Sequence, residues 1–450
     1  MIITLFILFF SHYTFALSEE EITQNVLTNF ALIQEAELKN EASKNEVISS
    51  EGAFDHKLVL KSRNQFEDKY DNRYFESAIE RQTPYAGASL MAGHRRGYGT
   101  FPAYDGKYRT SGAGEIFAGI TLPILRNRST DESRTNLKIK QLEQKQSEFE
   151  LRSKKMIYLH KTLSLYYKWV LENKKLQINK SIFELAKLRQ EMLEKKFKAG
   201  DIEAIKVVDN NRALDKRQGE IIKNEIELNK IKAELGIYLR NKDGSPLELS
   251  PEIAENYFLN KANNLSLVLD LKLNPQFNIL EIENDKLNTE LALYDQSRLP
   301  GLNLELLGSR EISANYPYDP DQLQLGVKFD FPLENRKAEG KNVAYQYKVR
   351  AIKKNRENLE REISQQFHFF LKASQDSKLR WDVTSNEFEK AKLVADAEKK
   401  RWANGASDLF VVNLREQDVA DVEIRRWTAL YDHHQYYLDA RLFSGKILPD

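Results

Sequence analysis

Gln322-Leu323-Gln324-Leu325-Gly326-Val327-Lys328-Phe329-Asp330-Phe331 alternates without a break: five apolar side chains interleave with five that are not. Successive side chains of an extended strand point to opposite faces, so this stretch presents one greasy face and one polar face. Upstream, Leu302, Leu304 and Leu306 alternate with Asn303 and Glu305. The connection from Ser313 to Asp321 is rich in Asn, Tyr, Pro and Asp, which suits an exposed loop. An earlier pair mirrors this one. Ile116, Ala118, Ile120 and Leu122 alternate with Glu115, Phe117, Gly119 and Thr121. A weaker strand is expected before them, near Tyr85 to His94, with a loop through Arg95, Gly97, Gly99, Pro102 and Gly106. Four strands are therefore expected.

Strands of about 9 to 11 residues with one apolar face are what a transmembrane barrel uses. Backbone groups in hydrocarbon must all be paired, so an open four-stranded sheet cannot remain there. Known barrels begin at about eight strands. Two chains would supply eight and three would supply twelve, so an oligomer is required and its size stays open at this level. The alternative is a pair of ordinary hairpins on a soluble core.

Behind each strand pair runs a long stretch without proline, from Pro123 to Pro246 and from Pro332 to Pro449. The two stretches open alike, Pro123-Ile124-Leu125-Arg126-Asn127-Arg128 and Pro332-Leu333-Glu334-Asn335-Arg336. Lys196-Phe197-Lys198-Ala199-Gly200 is answered by Lys400-Arg401-Trp402-Ala403-Asn404-Gly405, and Leu235-Gly236 by Ser444-Gly445. Every answer comes about 205–209 residues later, which marks an internal duplication. Ser129 and Glu132 have capping-box spacing and predict a helix start. Leu142, Phe149, Met156, Leu163 and Val170 recur every seventh residue, as do Tyr345, Ile352 and Leu359, which is coiled-coil spacing. About 70 residues at 1.5 Å each span on the order of 100 Å, too long for a compact domain. Gly200 and Gly405 then end each helix, because glycine accepts the left-handed backbone of a helix stop. Each copy reads as a long helical hairpin.

Composition narrows the function. The 450 residues carry 68 Lys and Arg against 67 Asp and Glu, so no basic surface for nucleic acid is expected. Cysteine is absent, which excludes thiolate metal sites, disulfides, a cysteine nucleophile and an N-terminal lipid anchor. The apolar run Ile2 to Phe10, followed by Thr14-Phe15-Ala16, reads as a secretory signal. No glycine-rich phosphate loop, nucleophile elbow or zinc-protease motif is present, and the adjacent His433 and His434 are expected on different helix faces. No catalytic, cofactor-binding or metal residue is expected.

These residues together resemble the TolC family of outer-membrane efflux proteins, over about Glu19 to Gly445. The most specific passage runs from Ala397-Glu398-Lys399-Lys400-Arg401-Trp402-Ala403-Asn404-Gly405-Ala406-Ser407-Asp408-Leu409 to Asn413-Leu414-Arg415-Glu416-Gln417-Asp418 and is similar to the family's second helix-turn-helix tip. Asn274-Pro275 resembles the opening of the second repeat, and Phe54-Asp55 with Leu58 a phrase ahead of the first strand. The resemblance implies a mostly α fold with a small β part, long antiparallel helical hairpins in a tube, and four strands per chain in a trimeric 12-stranded β-barrel. It implies no enzyme but a passive duct of a tripartite efflux pump or type I secretion system, integral to the bacterial outer membrane and extending into the periplasm. Its implied partners are two further copies, a periplasmic adaptor, an inner-membrane pump and outer-membrane lipid.

On this reading the chain divides into a signal peptide (1–16), a first repeat (17–240), an inter-repeat equatorial segment (241–274), a second repeat (275–445) and a tail (446–450). Gly200, Asp201, Gly405, Ala406, Ser407 and Asp408 are the candidates for the periplasmic tip and adaptor docking, since little side-chain bulk there lets another hairpin approach. Trp402, Lys206 and Val411 are the aperture candidates. Lys206 and Val411 stand where the family often has Asp, and Ser407 where one member has Arg, so a hydrophobic constriction is expected in place of an ionic lock. Ile116, Ala118, Ile120, Leu122, Leu302, Leu304, Leu306, Leu323, Leu325, Val327, Phe329 and Phe331 are expected to face lipid. The rival reading is a soluble periplasmic coiled-coil adaptor or scaffold, which detergent-free extraction would reveal.

Overall fold

The computed structural model describes residues 18–66, 71–100, 105, 110, 112–247, 267–312 and 321–449. The expected signal peptide, most of the loop from Ser313 to Asp321, and much of the 241–274 segment lie outside these residues. Seven α-helices and six strands follow one another among the described residues: α1 (Glu19–Asn29), α2 (Ala31–Glu51), β1 (Lys57–Phe66), β2 (Asp71–Gln82), β3 (Ser89–Gly99), β4 (Glu115–Pro123), α3 (Glu132–Lys198), α4 (Ala204–Tyr238), α5 (Pro275–Ser297), β5 (Gly301–Glu311), β6 (Gln322–Asp330), α6 (Arg336–Ala403) and α7 (Leu409–Phe443). The two long helices have 67 and 68 residues, and each is followed by one of 35.

Contacts divide the chain into two units that interleave along the sequence. One contains α1, α3 from Glu150 onward, α4, α6 from Leu359 onward and α7. Its core is built on the heptad face of α3, where Met156, Leu163 and Val170 are buried beside Leu159, Tyr166, Tyr167 and Trp169. Ile22 and Val26 of α1, Leu228, Ile231 and Leu235 of α4, and Trp427, Leu430 and Leu438 of α7 close around them. Between these apolar positions Lys161 is left at the surface, as an amphipathic helix requires. His433 and His434 are both buried and meet different helices: His433 Nδ1 lies 3.0 Å from the Ser374 hydroxyl of the second long helix, and the His434 ring centroid is 6.1 Å from that of Tyr167 in α3.

The other unit holds the six strands, most of α2 and α5, and the parts of α3 and α6 nearest the sheet in sequence. All six strands form one antiparallel sheet in chain order, β1 to β6. The expected pairs are present as β3–β4 and β5–β6, and β4–β5 joins them. The strand count needs correction, because β1 and β2 precede the expected four and pair along their length with each other and with β3. The stretch Arg95 to Gly99, expected as loop, is the second half of β3, held against Phe75 to Asn72 and Glu76 of β2. Pro102 and Gly106 lie outside the described residues.

The chain leaves the last strand of each repeat by the same manoeuvre. Asn127 and Asn335 both adopt the left-handed conformation, at φ +70° and +46°, a backbone that Asn tolerates better than most residues. Asp131, rather than Ser129, caps α3: its carboxylate accepts from the Arg134 amide at 2.9 Å and from Arg134 Nε at 2.9 Å. The Arg134 guanidinium also donates to the carbonyls of Asn127, Arg128 and Ser129, so one side chain fixes the corner between β4 and α3. A carboxylate at this position also suits the positive end of the helix dipole.

Candidate functional site

In an antiparallel sheet, directly opposed residues share a face. The register sets Leu122 opposite Leu304 and Leu304 opposite Val327; Ile120 opposite Leu306 and Leu306 opposite Leu325; and Leu302 opposite Phe329. Ala118, Gly308 and Leu323 form a further row, and Ile116 lies on the same face beside Arg310. Every expected lipid-facing residue within β4, β5 and β6 therefore lies on one side of the sheet. Phe331 falls just past the end of β6 and is itself exposed. One row continues through β3 into the two strands that were not expected: Ala118 opposes Ala92, Ala92 opposes Ile79, and Ile79 opposes Leu58.

The sheet exposes large apolar side chains on one face and buries an ion pair on the other. Leu323 is 75% exposed, Phe329 65% and Leu58 68%, whereas Glu115 on the other face is 0% exposed and Arg95 6%. Arg95 Nε donates to Glu115 at 3.2 Å, its Nη2 lies 3.0 Å from Asp105, and its guanidinium sits 5.2 Å from the Phe117 ring centroid. Arg95 and Glu115 are thus paired and buried on one face, where Lys61, Glu305 and Lys328 stay exposed, while Leu, Val, Ile and Phe are displayed on the other. A contiguous apolar display of this kind needs a nonaqueous partner.

Within the helical unit, the two turns after the long helices are built alike. Gly200 and Gly405 have φ of +82° and +75°. The Gly200 amide donates to Phe197 O at 3.0 Å and that of Asp201 to Lys196 O at 2.9 Å; Gly405 donates to Trp402 O at 3.0 Å and Ala406 to Arg401 O at 2.8 Å. These are helix-ending bonds that satisfy the last carbonyls. Asp408 then caps α7 by accepting from the Phe410 amide, while Glu203 precedes α4 without a side-chain cap. Ser407 donates to Glu398, which also faces Arg401 at 3.3 Å. The first turns of α4 and α7 line one open cleft, with Ile205, Lys206 and Val208 on one side and Asp408, Leu409 and Phe410 on the other.

The tip candidates Gly200, Asp201, Gly405, Ala406 and Asp408 are exposed and Ser407 is half-buried. Of the aperture candidates, Lys206 is exposed and lines the cleft, Val411 is half-buried in α7, and Trp402 lies beneath Lys196, whose Nζ is 5.9 Å from the ring centroid. Sequence reasoning missed a buried ionic cluster behind the turns. Arg189 Nη2 donates to Glu416 at 2.6 Å, its Nη1 donates to Asn413 Oδ1 at 2.5 Å, and Arg217 approaches Glu416 at 3.8 Å while donating to Ile182 O at 2.7 Å. Burial holds the Arg217 guanidinium below its usual range, and Glu416 offsets part of that effect. A second pair, Arg441 with Glu19 at 2.7 Å, also involves Tyr167, which donates to Glu19 at 2.8 Å. Burial pulls Arg441 down, yet Glu19 outweighs it and leaves the guanidinium raised.

No family model matches this chain, and no curated protein matches its sequence. Solved structures do match. The Campylobacter jejuni CmeC outer membrane channel aligns with a TM-score of 0.67 at 13% identity, covering 96% of this chain and 87% of that one. The chain has the TolC fold. The same TolC architecture appears in the outer membrane protein VceC of Vibrio cholerae, with a TM-score of 0.66 at 10% identity over 95% of this chain and 96% of that one. The open state of the Neisseria gonorrhoeae MtrE outer membrane channel gives 0.67 at 9% identity, covering 96% and 89%. With identity this low, the likeness is one of fold. Among the described residues no helix is long and apolar enough to cross a membrane, and no group of three His, Cys, Asp or Glu is placed to hold a metal ion.

Proposed function

We propose that this chain is one subunit of an outer-membrane channel, the outer component of a tripartite efflux pump or type I secretion system. The sheet lies in the outer membrane and the helical hairpins extend into the periplasm. One observation carries the reading: one face of the sheet displays a contiguous run of Leu, Ile, Val and Phe, which is stable in lipid and unstable in water. A soluble adaptor would bury Leu323, Leu325, Val327 and Phe329, and here all four are exposed.

A single six-stranded sheet has two free edges in hydrocarbon, so the channel is an oligomer, read here as a homotrimer. The energy comes from an inner-membrane pump reached through a periplasmic adaptor. The exposed turns at Gly200, Asp201, Gly405, Ala406, Ser407 and Asp408 are the adaptor-docking surface. Apolar Ile205, Val208 and Phe410, all exposed beside the cleft, offer a hairpin of the adaptor something to cover. Trp402, Lys206 and Val411 stand at the periplasmic opening. The duct is passive and catalyses nothing.

Single-channel recording of the purified protein in a planar bilayer tests this. Stepwise conductance with a constant unit size is the expected result. A protein that washes from membranes without detergent and leaves bilayers silent would be a soluble scaffold instead.

A further inference from the structure

Twelve strands are what three chains would bring if each gave four, but here the described residues of each chain form six in one sheet. A four-strand contribution would require β3 to offer its free edge to β6 of a neighbouring copy. That edge is occupied from end to end. The β2–β3 register runs from Asn72 opposite Gly99 to Gln82 opposite Ser89, which covers all of β3. Resting on the reading of the chain as a trimeric outer-membrane channel, we propose that β6 of one copy pairs with β1 of the next, closing an eighteen-stranded barrel.

Four features of β1 and β6 support this. They are the two terminal strands of the sheet, so their outer edges are the ones that lipid would leave unsatisfied. Strands alternate in direction from β1 to β6, so β6 and a neighbour's β1 meet antiparallel when copies are related by rotation about the barrel axis. Their lengths, 10 and 9 residues, match each other and the span a tilted strand needs. Finally, the apolar faces agree: Leu58, Leu60 and Phe66 of β1, at 68%, 62% and 73% exposure, lie on the same side of the sheet as Leu323, Leu325, Val327 and Phe329 of β6. Joining the edges continues one greasy belt around the barrel and leaves no edge in it.

The added hairpin has a functional consequence. Barrel diameter grows roughly linearly with strand number, so eighteen strands enclose a bore about half again as wide as twelve do. Barrels of about eight strands fill with side chains, whereas those of 16 to 18 leave an aqueous channel. The inner face carries the paired charges Arg95 and Glu115 along with Lys61 and Glu76, so the widened bore is polar. The substrate class that follows is bulky and hydrophilic.

Because the chain has no cysteine, introduced pairs report on edges without background. Full-length protein in its own outer membrane would carry one substitution in β1 (Leu58→Cys, Leu60→Cys or Ser62→Cys) together with one in β6 (Leu323→Cys, Leu325→Cys or Val327→Cys). A control series combines the β6 substitutions with Ala92→Cys or His94→Cys in β3. Opposed residues on paired strands come within disulfide range. At least one β1–β6 combination should convert most of the monomer band to covalent dimer and trimer on oxidation, with no ladder from the β3 series. A ladder from β3–β6 alone would overturn the proposal. Electron microscopy of the unsubstituted assembly decides independently of any variant: eighteen strands in a three-fold ring support it, and twelve sink it. A ring without three-fold symmetry, or a monomer, would instead sink the trimeric channel reading on which it rests.

Discussion

Arg189 and Glu416, 227 positions apart in the chain, meet at 2.6 Å with both side chains withdrawn from solvent. The contact ties α3 to α7 a few turns behind the helix-ending glycines. Arg217 of α4 joins the same carboxylate from 3.8 Å, and Lys399 of α6 from 3.6 Å, so one glutamate serves four helices.

Removing one member of a buried ion pair strands its partners without compensation, at a cost of about 3–5 kcal/mol. Glu416→Ala should therefore lower the unfolding midpoint of the helical unit far more than Glu387→Ala, whose carboxylate makes only an exposed pair with Arg425. Equal, small losses from both in thermal melts would show that the cluster is not a fastening.

The turns at Gly200 and Gly405 make a sharper demand on the backbone than on space. A Cβ at either position meets nothing within 4 Å, but φ near +80° is a conformation L-residues resist. Gly200→Ala and Gly405→Ala should each cost about 1–2 kcal/mol, and the Asn variants less, since Asn visits this region more readily. Chemical denaturation measures the difference. If Ala and Asn variants match the native protein, the positive φ is not needed to end the helices.

Burial pushes the phenols of Tyr166 and Tyr431 up to about 12, with Glu19 adding to the effect at the first and Asp432 at the second. An unfolded tyrosine ionises near 10. Below about pH 10 both states keep these protons and the folded state has its full stability; from about 10 to 12 only the unfolded chain releases them, so stability falls as pH rises. Urea midpoints taken from pH 9 to 12 should decline over that window, and Tyr166→Phe with Tyr431→Phe should flatten the decline. A decline of unchanged slope in the double variant would place the alkaline sensitivity elsewhere.

The sequence disclosed those parts of the molecule whose physics is periodic. β4, β5 and β6 were legible because their outward residues are almost all apolar, and the helix ends because glycine sits at both left-handed stops. β1 and β2 were not. Their outward faces carry Ser62, Asn64, Ser77 and Arg73 among Leu58, Leu60, Phe75 and Ile79, so the alternation dissolves before it can be counted. The register supplies what the pattern lacks, because pairing with β3 fixes which side each residue takes. The ionic cluster was hidden for another reason. Arg189, Arg217 and Glu416 stand among many charged helical residues that are solvated, and only the packing of α3, α4 and α7 distinguishes them. Asp131 displaced the expected Ser129 cap because Arg134 can bond the same carboxylate and the corner's carbonyls at once.

In the proposed channel, the face bearing Val327 and Phe329 looks into lipid. Lysine at mid-depth on a lipid-facing strand costs about 2–4 kcal/mol, and the opposite face of β6 bears no such penalty. Val327→Lys combined with Phe329→Lys, and separately Gln324→Lys from the other face, should be compared by the yield of heat-modifiable trimer extracted from outer membranes. A lipid-facing position predicts near-total loss for the first and normal assembly for the second. Equal trimer yields from both would contradict it.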